Sequence, residues 1–108
     1  MSATPEIRPA STVVLLRDSQ DGLETLLLRR NKALAFPGGS LDAEDMAAGD
    51  GDEERAARVA AAREAMEECG QQPKPQDMVL LSHWTTPESE KRRFSTWIYA
   101  APLRADED

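Results

Sequence analysis

The sequence predicts one α/β (α+β) domain, a mixed β-sheet with at least one helix packed on it. Three observations carry this. Apolar and β-branched runs bounded by turn residues stand on both sides of one long helical segment, in the order β, β, loop, α, β, β. That segment, Glu53 to Cys69, is rich in alanine, glutamate and arginine, holds no glycine or proline, and stops at Gly70 with Pro73 just beyond. The chain has 108 residues, and a chain of that size buries only about 65% of its unfolded surface, which leaves room for a single core.

Taken in order, residues 1–10 are polar, contain two prolines and show no periodicity, and they read as a flexible leader with structure starting near Ser11. Thr12 to Leu16 is a strand-like run closed by the turn-rich Asp18-Ser19-Gln20-Asp21-Gly22, and Leu23 to Leu28 is the next. Both are mostly continuously apolar rather than alternating, which predicts strands covered on both faces. Asn31 to Phe36 leads into Pro37-Gly38-Gly39, a shaped loop in which proline fixes one dihedral and glycine permits close turns. Ser40 to Asp52 is acidic, and Asp50 followed by Glu53 resembles a capping box at the start of the helix over 53–69. Met78 to His83 and Phe94 to Ala101 read as two further strands around a turn at 86–90. Residues 104–108 form an acidic tail, so the single domain covers 11–103.

Composition narrows the function classes. The chain is 40% hydrophobic and 31% charged, with a net charge of −7, a balance that argues against bulk nucleic-acid binding because a duplex binder needs a basic stripe. No apolar run approaches the roughly 18 residues of a membrane span, and the N-terminus lacks the basic start and apolar stretch of a signal peptide. One cysteine, Cys69, cannot form an internal disulfide, which points to an intracellular, cytoplasmic protein. Ten of the thirteen basic residues are arginine, whose planar donor fork suits the oxygens of a small phosphate-bearing ligand.

Within the helix, Glu64, Glu67 and Glu68 are spaced i, i+3, i+4 and share one face. Val59, Ala62, Met66 and Cys69 form a stripe on nearly the opposite side, by which the helix is expected to pack. The three carboxylates are open to two readings: a solvated polar face, or a site for a hard divalent cation that relieves their repulsion.

Phe36-Pro37-Gly38-Gly39 together with Arg63-Glu64-x-x-Glu67-Glu68-x-Gly70 resembles the Nudix box of the Nudix hydrolases. That pattern runs glycine, five residues, glutamate, seven residues, then Arg-Glu-apolar-x-Glu-Glu-x-Gly-apolar. Gly39, Arg63, Glu64, Glu67, Glu68 and Gly70 match it, with Ala65 as the small apolar residue. The chain departs in three places. Arg63 stands 24 positions after Gly39, a ten-residue insertion relative to the pattern. The first glutamate is replaced either by Asp45, counted forward from Gly39, or by Glu54, beside the position counted back from Arg63. The closing apolar position is Gln71. The chain is most similar to the coenzyme A and acyl-coenzyme A diphosphatase-like branch, where a longer loop follows Phe-Pro-Gly-Gly; Trp84-Thr85-Thr86-Pro87 and Arg92-Arg93-Phe94-Ser95-Thr96 resemble that branch, with Ser95 in place of an aspartate.

The resemblance implies a Nudix-type mixed sheet sandwiched by helices, the catalytic helix being 53–69 and the second covering helix absent from this chain. On that resemblance the chain is expected to be either a fragment of a longer protein or a homo-oligomer in which a partner covers the exposed sheet face. The resemblance further implies hydrolysis of a nucleoside diphosphate linked to another moiety, with coenzyme A or an acyl-coenzyme A as candidate substrate and Mg2+ or Mn2+ as cofactor. Glu64, Glu67 and Glu68 are then the metal ligands, joined by the Gly39 carbonyl, with Glu64 the first choice of general base. Arg63, Gly38, Gly70 and Asp45 have supporting roles. Arg29, Arg92 and Arg93 are weaker candidates for holding phosphate, and Trp84 and Trp97 for stacking a base, although tryptophan in a strand more often packs. His83 is read as satisfied by its neighbours and Cys69 as an inert buried thiol. The alternatives are a non-catalytic Nudix-like module that binds a diphosphate ligand or a protein partner, and a purely structural acidic helix.

Overall fold

The computed structural model describes residues 7–30, 33–87, 89 and 93–103. In chain order they form β1 (Ile7–Ser19), β2 (Gly22–Thr25), β3 (Leu28–Arg30), β4 (Ala33–Ala35), β5 (Gly38–Ser40), α1 (Ala43–Ala48), α2 (Glu53–Cys69), a 3-10 turn (Pro75–Asp77), β6 (Val79–Thr85) and β7 (Arg93–Pro102). β1 organises the sheet. One edge of it pairs antiparallel with β2 through residues 16–19 and with β5 through residues 10–12, while the other pairs in parallel with β7 over residues 7–16. β7 in turn pairs antiparallel with β6, whose register shifts between Leu80 and Ser82. β3 and β4 form a separate two-stranded ribbon. The result is the mixed sheet with one main helix that the sequence predicts, plus one short helix.

Several boundaries differ from the sequence reading. β1 starts at Ile7 rather than near Ser11, because β7 supplies a parallel partner from Arg93 onward and Leu41 donates its N–H to the Pro9 carbonyl. Residues 1–6 and 104–108 lie outside the described residues. The run Leu23 to Leu28 is not one strand: β2 leaves the ladder at Thr25 and β3 turns to pair with β4. Nor is it covered on both faces, since Leu23 is 67% exposed. The acidic stretch between the glycine loop and α2 contains a short helix, α1, whose cap Asp42 and third residue Asp45 satisfy each other's backbone N–H groups. Consequently α2 is capped not by Asp50, which sits in a turn at φ 55, but by Asp52, whose side chain accepts from the Arg55 N–H. Gly70 closes α2 in the left-handed conformation at φ 74, its N–H donating to the Met66 carbonyl.

The packing face of α2 is also turned from the one expected. Its buried residues are Ala56, Ala57, Ala60, Ala61 and Ala65, whereas Met66 is 48% exposed. Alanine lets the helix backbone approach the sheet closely, and Ala57, Ala61 and Ala65 join Val13, Leu15, Met78, Tyr99 and Ala101 in the core. Of the predicted stripe, Ala62 and Cys69 touch the edge of this core, and Val59 is only half-buried. At about 100° per residue, Glu64 and Glu68 continue the alanine face toward the C-terminal end rather than opposing it. The acidic groups thus point at the sheet. Across that sheet, the row facing α2 runs Gly39, Ser11, Trp97, His83.

Candidate active site

The Phe36-Pro37-Gly38-Gly39 segment enters the sheet where α2 crosses it. The buried Pro37 accepts at its carbonyl from the Val13 N–H at 3.0 Å, which locks the loop to β1 before the glycines pair with Ser11 and Thr12. The two glycines are required for different reasons. A Cβ on Gly38 would run into the Ser11 carbonyl and lie 2.9 Å from the Thr12 Cα, a clash with backbone. A Cβ on Gly39 would lie 2.9 Å from both Cδ and Oε1 of Glu64, so its absence is what gives that carboxylate its place.

Arg63 ties the loop to the helix. It donates to Asp45 through Nη2 at 2.9 Å and Nε at 3.3 Å, a bidentate pair in which the Asp45 side chain is only 3% exposed. The same guanidinium reaches Glu64 Oε1 at 2.9 Å, Glu67 Oε2 at 3.3 Å and the Ser40 carbonyl at 3.4 Å. Burial pushes the Asp45 carboxyl up, but the Arg63 hydrogen bonds and the Asp42 N–H outweigh it and hold Asp45 below its ordinary value. Of the two acidic candidates left open by the spacing, then, Asp45 is the one that faces Arg63. Glu54 belongs to the other end of the helix, accepting from Arg58 Nε and the Tyr99 hydroxyl, both at 2.7 Å.

The three box glutamates are placed differently from one another. Glu68 Oε1 accepts from the Gly38 N–H at 3.1 Å. Glu64 has a side chain 18% exposed and a carboxyl raised above its ordinary value by burial, with Arg63 lowering it and the neighbouring Glu68 raising it. Glu67 is more open, its side chain 57% exposed and engaged by Arg63. Glu64 and Glu68 therefore meet at the bare backbone of Gly38 and Gly39, while Arg63 draws Glu67 to the outer side. Among the described residues no three His, Cys, Asp or Glu side chains already converge on one metal-sized point.

The remaining candidates are scattered. Arg29 is exposed on the β3–β4 ribbon, and Arg92 lies outside the described residues. Arg93 donates to the Thr86 carbonyl at 3.2 Å, and its register partner Ile7 is four residues along β1 from Ser11, or about 13 Å from the Gly39 row at 3.3 Å per residue. Trp84 is 55% exposed. Trp97 donates Nε1–H to Glu53 at 2.9 Å and stacks on His83 at 3.9 Å, while His83 also hydrogen-bonds Ser95. Cys69 is half-buried, its thiol directed to the Ala65 carbonyl. Gln71, at the closing apolar position, is buried. Sequence reasoning missed Tyr99, fully buried, with its hydroxyl donating to Glu54 and the Arg58 guanidinium 5.2 Å from its ring centroid. Its phenol is held well above the ordinary value by burial and by Glu54. An aromatic in a strand gives no sign of its partner on a distant helix.

The NUDIX domain family matches residues 7–108. A crystal structure of a NUDIX hydrolase from Alicyclobacillus acidocaldarius superposes with a TM-score of 0.78 at 22% identity, covering 97% of this chain and 77% of that one. A MutT/nudix family protein from Enterococcus faecalis gives 0.73 at 20% identity, covering 94% of this chain and 39% of that one. The C. elegans Ap4A hydrolase gives 0.61 at 23%, covering 95% and 73%. No curated protein sequence matches the chain. The family match spans the glycine loop, α2 and every described strand, and on it this chain belongs to the Nudix hydrolase family.

Proposed function

We propose that the chain hydrolyses the diphosphate bond of a nucleoside diphosphate linked to another moiety, with a divalent metal, Mg2+ or Mn2+, in the cytoplasm. The observation that carries this reading is the meeting of the Glu64 and Glu68 carboxylates at the side-chain-free Gly38–Gly39 backbone. The donor set fits a hard cation: carboxylate oxygens of Glu64, Glu67 and Glu68 and a backbone carbonyl at Gly39, beside an acid raised by burial. When bound, such a metal neutralises diphosphate oxygens and acidifies the attacking water. The chain's own part is then to position and to move a proton. Glu64 accepts the proton of the attacking water, Arg63 and Asp45 hold α2 in register with the loop, and Gly39 keeps that approach open.

Coenzyme A and acyl-coenzyme A head the substrate panel because the Trp84 to Pro87 and Arg92 to Thr96 segments resemble that branch. Ap4A joins them, since a structural neighbour is an Ap4A hydrolase. Product release from this panel with Mg2+, with chelator and in the Glu64→Gln variant tests the reading. Metal-dependent turnover that collapses in the variant supports it. Metal binding with no turnover on any member supports the second reading, a diphosphate-binding module, which is favoured by Arg63 already engaging two of the three glutamates.

A second copy of the chain is the proposed cover for the sheet face away from α2. That face carries Val14, Leu16 and Ile98, half-buried, and the exposed Val79 and Trp84. Sedimentation of a stable monomer at micromolar concentration removes this part of the proposal.

A further inference from the structure

Among the described residues, the Ser11 hydroxyl is a buried polar group without a hydrogen-bond partner, in a residue only 1% exposed. Such a group is costly to bury and in folded proteins is normally satisfied by protein or water. Its surroundings narrow what satisfies it. Ser11 shares the strand parity of Val13 and Leu15, which are fully buried against α2, so its side chain points to the helix side of the sheet. Its ladder neighbours are Gly39, which has no side chain, and Trp97, whose Nε1–H is committed to Glu53. The inward face of α2 is alanine at 56, 57, 60, 61 and 65, and the polar groups on it are Glu64 and Glu68. Glu68 turns to the Gly38 N–H.

The distances converge on Glu64. Directly opposed residues of an antiparallel pair have Cβ positions about 4.5–5.5 Å apart, and the Cβ position of Gly39 lies 2.9 Å from the Glu64 carboxyl carbon and Oε1. The Ser11 Cβ is therefore within about 8 Å of that carboxylate, a span that the hydroxyl and one bridging water can close. We propose that Ser11 is a positioning residue for Glu64, its hydroxyl donating to the Glu64 carboxylate, directly or through a single water. Arg63 holds Oε1 from the solvent side at 2.9 Å, and Ser11 holds the group from the sheet side. The carboxylate is then fixed at two points while Gly39 leaves its remaining approach open. The effect on turnover rests on the hydrolase reading above; the link itself belongs to the resting protein.

Thermal unfolding of the full chain without metal tests the link. Ser11→Ala lowers Tm by a few degrees in the wild-type background and leaves it unchanged or higher in Glu64→Ala. With the best substrate of the panel, Ser11→Ala lowers kcat roughly tenfold with KM within about twofold, as expected for loss of orientation rather than binding, and Ser11→Thr restores most of it. A Tm change of equal size and sign in both backgrounds, or an unchanged kcat in Ser11→Ala, overturns the proposal. A wild-type protein that turns over nothing in the panel overturns the hydrolase reading instead, and the thermal cycle still decides on Ser11.

Discussion

The two ends of α2 carry the same residue types and do different work. At the N-terminal end Glu53 and Glu54 are consumed by Trp97, Tyr99 and Arg58, and Arg58 itself donates to the Met78 carbonyl at 2.6 Å and the Pro75 carbonyl at 3.2 Å. At the C-terminal end Glu64 and Glu68 face a loop that presents backbone alone. What stands opposite a glutamate decides whether it is locked as a clamp or set for the role proposed for Glu64. A neighbouring aromatic hydroxyl or indole N–H closes the first end, whereas at the second the two glycines let the carboxylates come up against bare backbone.

The largest expected contrast is in turnover. Glu64→Gln lowers kcat by about 10³-fold, in the range for loss of a general base and equivalent to about 4 kcal/mol in the barrier. Glu54→Gln at the other end keeps kcat within a few-fold and is read instead as a lower Tm. Comparable kcat losses in both variants would erase the distinction. Next comes the pair that joins the ends of the insertion. Asp45→Asn costs about 2–3 kcal/mol by denaturant unfolding, below the usual figure for a broken buried pair because Arg63 retains 26% exposure. Because the folded carboxyl of Asp45 lies below its ordinary 3.8, its contribution is complete above that pH and is lost as the pH falls through the folded value. The variant therefore shows a shallower acid limb than the wild type.

Tyr99→Phe leaves the Glu54 carboxylate and carbonyl short of a donor and costs about 1–2 kcal/mol, with kcat unchanged, since Tyr99 serves only the clamped end. The smallest effect sharpens the packing of the helix. Met66→Ala changes stability by less than about 0.5 kcal/mol, as at other exposed positions, although Met66 is the largest apolar side chain in α2.

That last residue shows where the sequence was legible and where it was not. The bounds of α2 were readable, because Gly70 and the unbroken alanine-rich run are local signals. So was the pattern that unites Gly39 with the box glutamates. The inward face was not: hydrophobic size points to Met66, but a helix that must come close to a sheet packs by alanine, and the sequence does not state the separation. α1 was hidden in an acidic stretch whose cap depends on Asp45 reaching back to Asp42. Tyr99 and Ser11 were hidden because their meaning comes from partners brought near by sheet register, which is non-local.

The same non-locality shapes how the molecule assembles. The glycine loop, β1 and α2 gather residues from the first two thirds of the chain, but the longest ladder, β1 with β7, joins Ile7 to Arg93 in parallel and so demands closure of nearly the whole described chain. Folding of such a topology is expected on the millisecond-to-second scale rather than in microseconds. Until β7 docks, β1 presents an unpaired edge able to template the wrong partner. Refolding yield should therefore fall as protein concentration rises.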